Sequence, residues 1–482
     1  MEKPSIMSKV TSDLQPTDHV PRSRRLAWGI GGVAERLTNE SVNALTLPIY
    51  NVGLGVNAIW IGWALALPRL LDAITDPLMG HLSDNARTRW GRRRPFIFIG
   101  AIMTGLLAIL LWNPWLELPK SGLFLWYFIG SILYYLAYTI YAVPFSALGI
   151  ELTSDYDERT RVQAWRMFFF LVGGMAGPWF YKLCFVFGGD AVEGGFAPEV
   201  LGARWVGLMV GIIIILSGIC PALFCRERFQ NPSSAVSAQP KVSFLTALGA
   251  SLKNRSFCIL LAGSLIIWMG MFLTGPFLIY INLYYTADGV REYSATINGW
   301  VGTVISVVGM FLGVPFSTWL ATRIGKRHAM ISGLTVSAAS YISQWWTITP
   351  AMPYLQLVSM FVLGMSLSCC WLLIPSMVAD VCDEDELKSG MRREGLYSAV
   401  SAFSQKAAIG FATLLSGYLL NATGYVPGPT QTPETVWLMR ILYVGVQSGG
   451  LLLGALAFFY YPLTHERAAE VRRLIDLHKM NP

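Results

Sequence analysis

Residues 69–95 read RLLDAITDPLMGHLSDNARTRWGRRRP, and the two halves of this stretch ask for opposite surroundings. The first half is an apolar run carrying Arg69, Asp72 and Asp76. The second is a polar turn holding Arg87, Arg89, Arg92, Arg93 and Arg94, after which apolar sequence resumes. On a helix, Arg69, Asp72 and Asp76 (i, i+3, i+7) share one face. Inside a membrane an ionisable group costs a few kcal/mol and generally faces a bundle interior or pathway. The rest of the chain decides whether that is the setting.

Of its 482 residues, 54% are hydrophobic and 13% charged, with a mean hydropathy of +0.49. Soluble proteins carry about 25% charged residues, so this composition predicts an all-α, multi-pass membrane protein. The net charge of +7 does not point to nucleic acid, because the basic residues sit in short loops between apolar runs. Seven cysteines, mostly inside those runs and without ligand-like spacing, support neither a disulfide framework nor a zinc site. Residues 1–26 have no apolar h-region and predict no cleavable signal peptide.

Apolar runs of about 20 residues, enough to cross the hydrocarbon core, predict twelve transmembrane helices. They lie near 27–53, 57–81, 95–115, 121–150, 162–187, 203–225, 255–286, 295–321, 328–348, 354–382, 394–421 and 437–461. Basic residues accumulate in alternate connections, while the opposite ones hold little beyond Lys120, Arg204 and Arg291. By the positive-inside rule both termini are cytoplasmic. The segment 226–254 contains NPSSAVSAQPK, a flexible-linker composition. It divides a six-helix bundle at 27–225 from another at 255–461, with tails at 1–26 and 462–482. A repeat supports the division: Thr88-Arg-Trp-Gly-Arg-Arg is echoed by Thr322-Arg-Ile-Gly-Lys-Arg, each between the second and third helices of its half. Two such halves joined head to tail are a transporter arrangement with substrate held between them.

The charged and polar residues inside these helices are the candidate site. Asp72 and Asp76, one turn apart, repel when both are ionised, so one takes a proton or the pair shares a cation. The plainer reading is an Arg69–Asp72 ion pair that only fixes packing, which leaves Asp76 without a partner. Glu35, Arg36, Asn39, Glu40 and Asn43 make the first helix polar, either as a solvated end or as a hydrogen-bonding face for a polyhydroxylated substrate. In the fourth helix Tyr138-Thr-Ile-Tyr-Ala-Val-Pro-Phe-Ser puts hydroxyls and a proline at mid-depth. Arg166 is set in aromatic sequence. Lys406 has no acidic neighbour in its own helix, so it is expected to reach a carboxylate or the substrate across the cavity. Trp371 is either a packing residue or a face for a sugar ring. The block Ala379–Gly395, with Asp380 and Arg393, reads as a solvated loop whose charges could pair with the basic loops and hold a gate.

DAITDPLMG at 72–80, TRWGRRRPF at 88–96, YTIYAVPF at 138–145, VADVCDEDELKSGMRREG at 378–395 and SQKAAIG at 404–410 resemble the motifs of the glycoside-pentoside-hexuronide:cation symporters, a major facilitator branch that includes the melibiose permeases. The RWGRRRPFI run is also similar to the proton-coupled sucrose carriers. The resemblance implies the major facilitator fold, alternating access, and sugar or glycoside uptake driven by H⁺, Na⁺ or Li⁺. It places the paired cation-site aspartates on Asp72 and Asp76, the cation-site threonine on Thr139, and the substrate-site arginine, tryptophan and lysine on Arg166, Trp371 and Lys406. Two departures stand out: Ala142 and Ser146 occupy positions where melibiose permeases carry an acid and a tryptophan, and Glu35–Arg36 reverses the charge order of the permeases' first-helix pair.

Together these readings predict a cation-coupled symporter in a bacterial inner membrane, acting as a monomer on a small sugar or glycoside. No cofactor is expected beyond the coupling ion, H⁺ or Na⁺. Coupling falls to Asp72, Asp76 and Thr139, and the two carboxylates are metal ligands only if the ion is Na⁺. Substrate binding falls to Glu35, Arg36, Asn39, Asn43, Asp72, Tyr138, Arg166, Trp371 and Lys406, and gating to Arg69, Arg92, Arg93, Asp380 and Arg393. A lysophospholipid carrier on the same fold would need a wide apolar cavity open to the bilayer. A sugar sensor would need an output domain. An enzyme has no metal-spaced histidine pair or nucleophile with a neighbouring base to support it.

Overall fold

In the computed structural model, residues 20–153, 155–189, 196–227, 249, 252–390, 393–428 and 430–480 are described. The expected linker at 226–254 and N-terminal tail lie largely outside them. The first half contributes α1 (Arg22–Leu45, continued by a π-helical turn at Thr46–Gly53), α2 (Ala58–Asn85), α3 (Arg94–Leu111), α4 (Lys120–Glu151), α5 (Tyr156–Ala176, continued through Gly177–Trp179 into Phe180–Gly188) and α6 (Pro198–Phe224). The second half contributes α7 (Arg255–Thr274, continued by Phe277–Ile281 and a π-helical turn at Asn282–Thr286), α8 (Arg291–Val308, Gly309–Gly313 and Val314–Ile324), α9 (Lys326–Thr347), α10 (Gln356–Ser389), α11 (Glu394–Ala422) and α12 (Pro433–Phe459). A shorter α13 (His465–Met480) follows.

Among the described residues, nine of these helices are long and apolar enough to cross a membrane. The other three long ones, α1, α9 and α11, carry more polar side chains, such as Glu35, Arg36, Asn39 and Glu40 on α1 and a series of serines on α9. Each half has its own core. Trp28, Tyr50, Trp112, Tyr127, Tyr134 and Phe145 fill the first, and Phe257, Tyr280, Tyr397, Tyr443 and Phe458 the second. Small residues bring backbones close where lipid offers no hydrophobic drive. A Cβ on Gly105 would lie 2.5 Å from the carbonyl oxygen of Gly211, between α3 and α6, and one on Gly270 would lie 3.0 Å from Cα of Gly450, between α7 and α12.

The repeated turns share a backbone requirement. Gly91 has φ +113° and Gly325 φ +81°, a region L side chains rarely adopt. Each glycine is also crowded: a Cβ at Gly91 would sit 2.6 Å from the Glu227 carboxylate, and one at Gly325 2.9 Å from Cβ of His465. These turns, with the ends of α6 and α10, make up what we call the basic end of the molecule.

At the opposite, far end the two bundles are tied together. Arg291 pairs with Glu199 at 2.6 Å and Lys182 with Glu292 at 2.6 Å. Trp179 donates to Thr303 at 2.8 Å, and Tyr280 and Tyr425 donate to Asn51. Lower down the seam, Lys406 meets Asp76. Nearer the basic end, the ion pairs made by Arg92, Arg93, Lys326 and Arg393 each stay within one half of the chain.

One expectation is corrected. The acidic block is not a loop through most of its length: α10 runs on to Ser389, burying Asp380, Glu384 and Asp385, and stops at Gly390 with φ +68°. Its charges are neutralised by partners, so nothing breaks the helix before that glycine. Within the C-terminal tail, α13 buries Val471 and Ile475.

Candidate functional site

The cluster at the seam is assembled from helices far apart in sequence. Asp76 of α2 accepts from Thr139 of α4 at 3.2 Å and from the ammonium of Lys406, on α11 of the other bundle. Asp72, one turn away and only 8% exposed, lies 3.5 Å from the same Thr139 hydroxyl. A hydroxyl has one proton to donate, so Thr139 serves one carboxylate at a time. Asp76, which the packing-only reading leaves without a partner, thus has two, and Lys406 reaches a carboxylate across the seam.

The Arg69–Asp72 ion pair does not form. Arg69 donates to the Tyr135 hydroxyl at 3.4 Å and lies 5.6 Å from the centre of that ring. The other basic groups at this depth are matched one to one. Arg166 grips Glu35 with two bonds of 2.6 and 3.0 Å, Arg36 pairs with Glu40 at 2.5 Å, and Lys406 pairs with Asp76. Arg69 and Asp72 are left as the loosely held charges, with Asp72 short of donors. Two carboxylates one turn apart thus share a single hydroxyl.

Glu35, Arg36 and Arg166 are thus engaged with partners, where the sequence offered them as free hydrogen-bonding groups for substrate. Arg166 also stands 5.9 Å from the ring of Trp28 and 5.6 Å from that of Phe145, which explains why an arginine sits in aromatic sequence. Asn39 donates to the Tyr138 hydroxyl at 3.4 Å, and Asn43 is exposed on the same helix. Across the seam a cavity of about 250 Å³ is lined by Trp268 of α7, Trp371 of α10 and Ser401 and Gln405 of α11. Trp371 is half exposed there and leans on the buried Trp268, ring centres 4.5 Å apart. Trp268 and Gln405 were not singled out from the sequence, where a tryptophan is at home in an apolar helix and Gln405 is overshadowed by the neighbouring charge of Lys406.

The expected gating residues pair within bundles, not between them. Arg93 meets Asp84 at 2.7 Å and Glu151 at 3.0 Å, and Arg92 also meets Glu151. Lys326 meets Asp380 at 2.7 Å, Arg472 of α13 meets it at 3.4 Å, and Arg393 grips Asp385. Glu227, which no motif marked, accepts from the backbone N–H groups of Arg92, Arg93 and Arg94 at 2.8–2.9 Å, a charged cap on the start of α3.

Comparison with known proteins agrees with this architecture. The family model described as MFS/sugar transport protein matches residues 27–465. The isoprimeverose transporter of Lactiplantibacillus pentosus is 26% identical over 470 residues, covering 95% of this chain and 92% of that protein. A putative glycoside/cation symporter of Escherichia coli is 26% identical over 470 residues, covering 94% and 95%. Among solved structures, a point-mutant form of the nucleoside transporter NupG superposes with a TM-score of 0.63 at 15% identity, over 91% of this chain and 99% of that one.

Proposed function

This chain belongs to the MFS/sugar transport protein family, and from that premise we propose that it is a secondary active symporter carrying a sugar or glycoside together with a cation by alternating access. It is a multi-pass membrane protein whose described residues include twelve long helices, six in each half of the chain, followed by the shorter α13. The bundles at 27–225 and 255–461 act as the two rocking units, and the protein works as a monomer. By the positive-inside rule the basic end and both termini face the cytoplasm of a bacterial inner membrane. The contacts described above then belong to a state closed toward the outside.

The observation that carries the reading is the bond from Lys406 to Asp76, with Thr139 between Asp76 and Asp72. It joins the two bundles at mid-depth and is made of the groups a cation would disturb. A cation held by Asp72, Asp76 and Thr139 competes with Lys406 for Asp76. The freed ammonium, and Arg69 opposite, become available to substrate hydroxyls, so the ion prepares the cavity for sugar. Asn39, Asn43 and Tyr138 contribute hydrogen bonds from the first bundle, with Glu35, Arg36 and Arg166 exchanging theirs, and Trp371 supplies a ring face from the second. The ion is H⁺ or Na⁺. A proton needs one carboxylate, whereas Na⁺ would recruit both carboxylates and the Thr139 hydroxyl as oxygen ligands.

A thermal-shift panel of mono- and disaccharides, glycosides and lysolipids, with and without Na⁺ at two pH values, tests both halves of this reading. Ligands that bind the folded state raise the midpoint by mass action. The expected result is a shift from one sugar or glycoside class that grows with Na⁺ or at the lower pH. Shifts from lysolipids alone would replace the sugar reading with the lipid one.

A further inference from the structure

We propose that Asn51 is the latch that holds the far end of the transporter shut, and that its two tyrosine bonds set how often that end opens. The inference rests on the alternating-access reading above and concerns a part of the molecule to which that reading assigns no role.

Asn51 lies in the π-helical turn Thr46–Gly53 that ends α1, and it is 0% exposed. Its Nδ2 donates to the carbonyl of Val56 at 2.7 Å. A carbonyl only accepts, so this bond fixes which side-chain atom is the oxygen. The oxygen, Oδ1, accepts from the Tyr280 hydroxyl at 2.7 Å and from the Tyr425 hydroxyl at 2.9 Å. Both tyrosines belong to the other bundle, both are buried, and their rings pack 4.9 Å apart. Both lone pairs of one oxygen are thus used to join the two halves. Separating the bundles here strands two phenols and an amide oxygen until water enters, and buried groups left unpaired are costly. Glu199–Arg291 and Lys182–Glu292 also tie the far end; Lys182 and Glu292 are partly open to solvent and exchange partners for water cheaply, whereas Glu199 is buried and its pair with Arg291 holds this end alongside Asn51.

The test uses the full chain in intact cells. Thr413→Cys places a thiol on α11, where the backbone packs against Gly62 of α2 in the far half of the seam. Labelling by a membrane-impermeant maleimide added outside is compared with and without that cysteine, in the absence of substrate. Losing both phenol bonds in Tyr280→Phe/Tyr425→Phe should raise labelling roughly 5- to 30-fold. Tyr443→Phe is the control: the buried Tyr443 donates to Gln344 of its own bundle at 2.8 Å, away from Asn51, so its loss should leave labelling at the parental level. Unchanged labelling in the double variant, or an equal rise in Tyr443→Phe, overturns the proposal. If the double variant fails to reach the membrane, Tyr425→Phe alone gives the same comparison with a smaller rise. Because no substrate is supplied, a wrong substrate class would leave this result intact.

Discussion

Thr139 has one proton for two carboxylates, and the consequences are specific at the residue level. Thr139→Ser keeps the hydroxyl and should keep gradient-driven accumulation, while Thr139→Val removes it and should weaken ion-dependent uptake several-fold, as initial rates across an ion titration would reveal. Arg166→Gln leaves Glu35 without its partner in a mostly buried setting, which typically costs about 3 kcal/mol. Thermal unfolding should register that loss, and adding Glu35→Gln should recover part of it. A double variant no more stable than Arg166→Gln would contradict the pairing. The individual charges were legible because a carboxylate or ammonium in an apolar run is an outlier. Their pairing was not, because Asp76 and Lys406 are 330 positions apart and nothing local links them.

At the scale of elements, the two repeated turns show what a short motif can and cannot reveal. The matching positions of Gly91 and Gly325 are visible in the sequence, and their positive φ angles give the physical reason for the repeat. The crowding partner of each is invisible there: Glu227 stands beyond the end of α6, and His465 opens α13. Gly91→Ala should therefore cost about 1–3 kcal/mol from backbone strain alone, plus displacement of the Glu227 carboxylate. The comparison is its unfolding midpoint against that of Glu227→Ala, which should lose the cap without the strain. The acidic block misled for a related reason. Asp380, Glu384 and Asp385 look like a solvated loop taken singly, but Lys326, Lys388 and Arg393 neutralise them and let α10 continue.

For the whole molecule, composition and the spacing of apolar runs were enough to lay out twelve helices and two bundles, because the bilayer leaves few alternatives. The seam between the bundles was out of reach, since its far-end contacts come from ordinary residues such as Asn51, Tyr280 and Tyr425 that carry no sequence mark. That seam is the moving part of the proposed transport cycle, with Lys406 and Asp76 as the link between ion and motion. The most direct test is uptake of the sugar or glycoside identified by thermal shift into proteoliposomes carrying an inward H⁺ or Na⁺ gradient, comparing the parent chain with Asp76→Asn. The parent should accumulate substrate above the outside concentration and lose accumulation when the gradient is collapsed, while Asp76→Asn should only equilibrate it. Accumulation by Asp76→Asn equal to that of the parent would contradict the account.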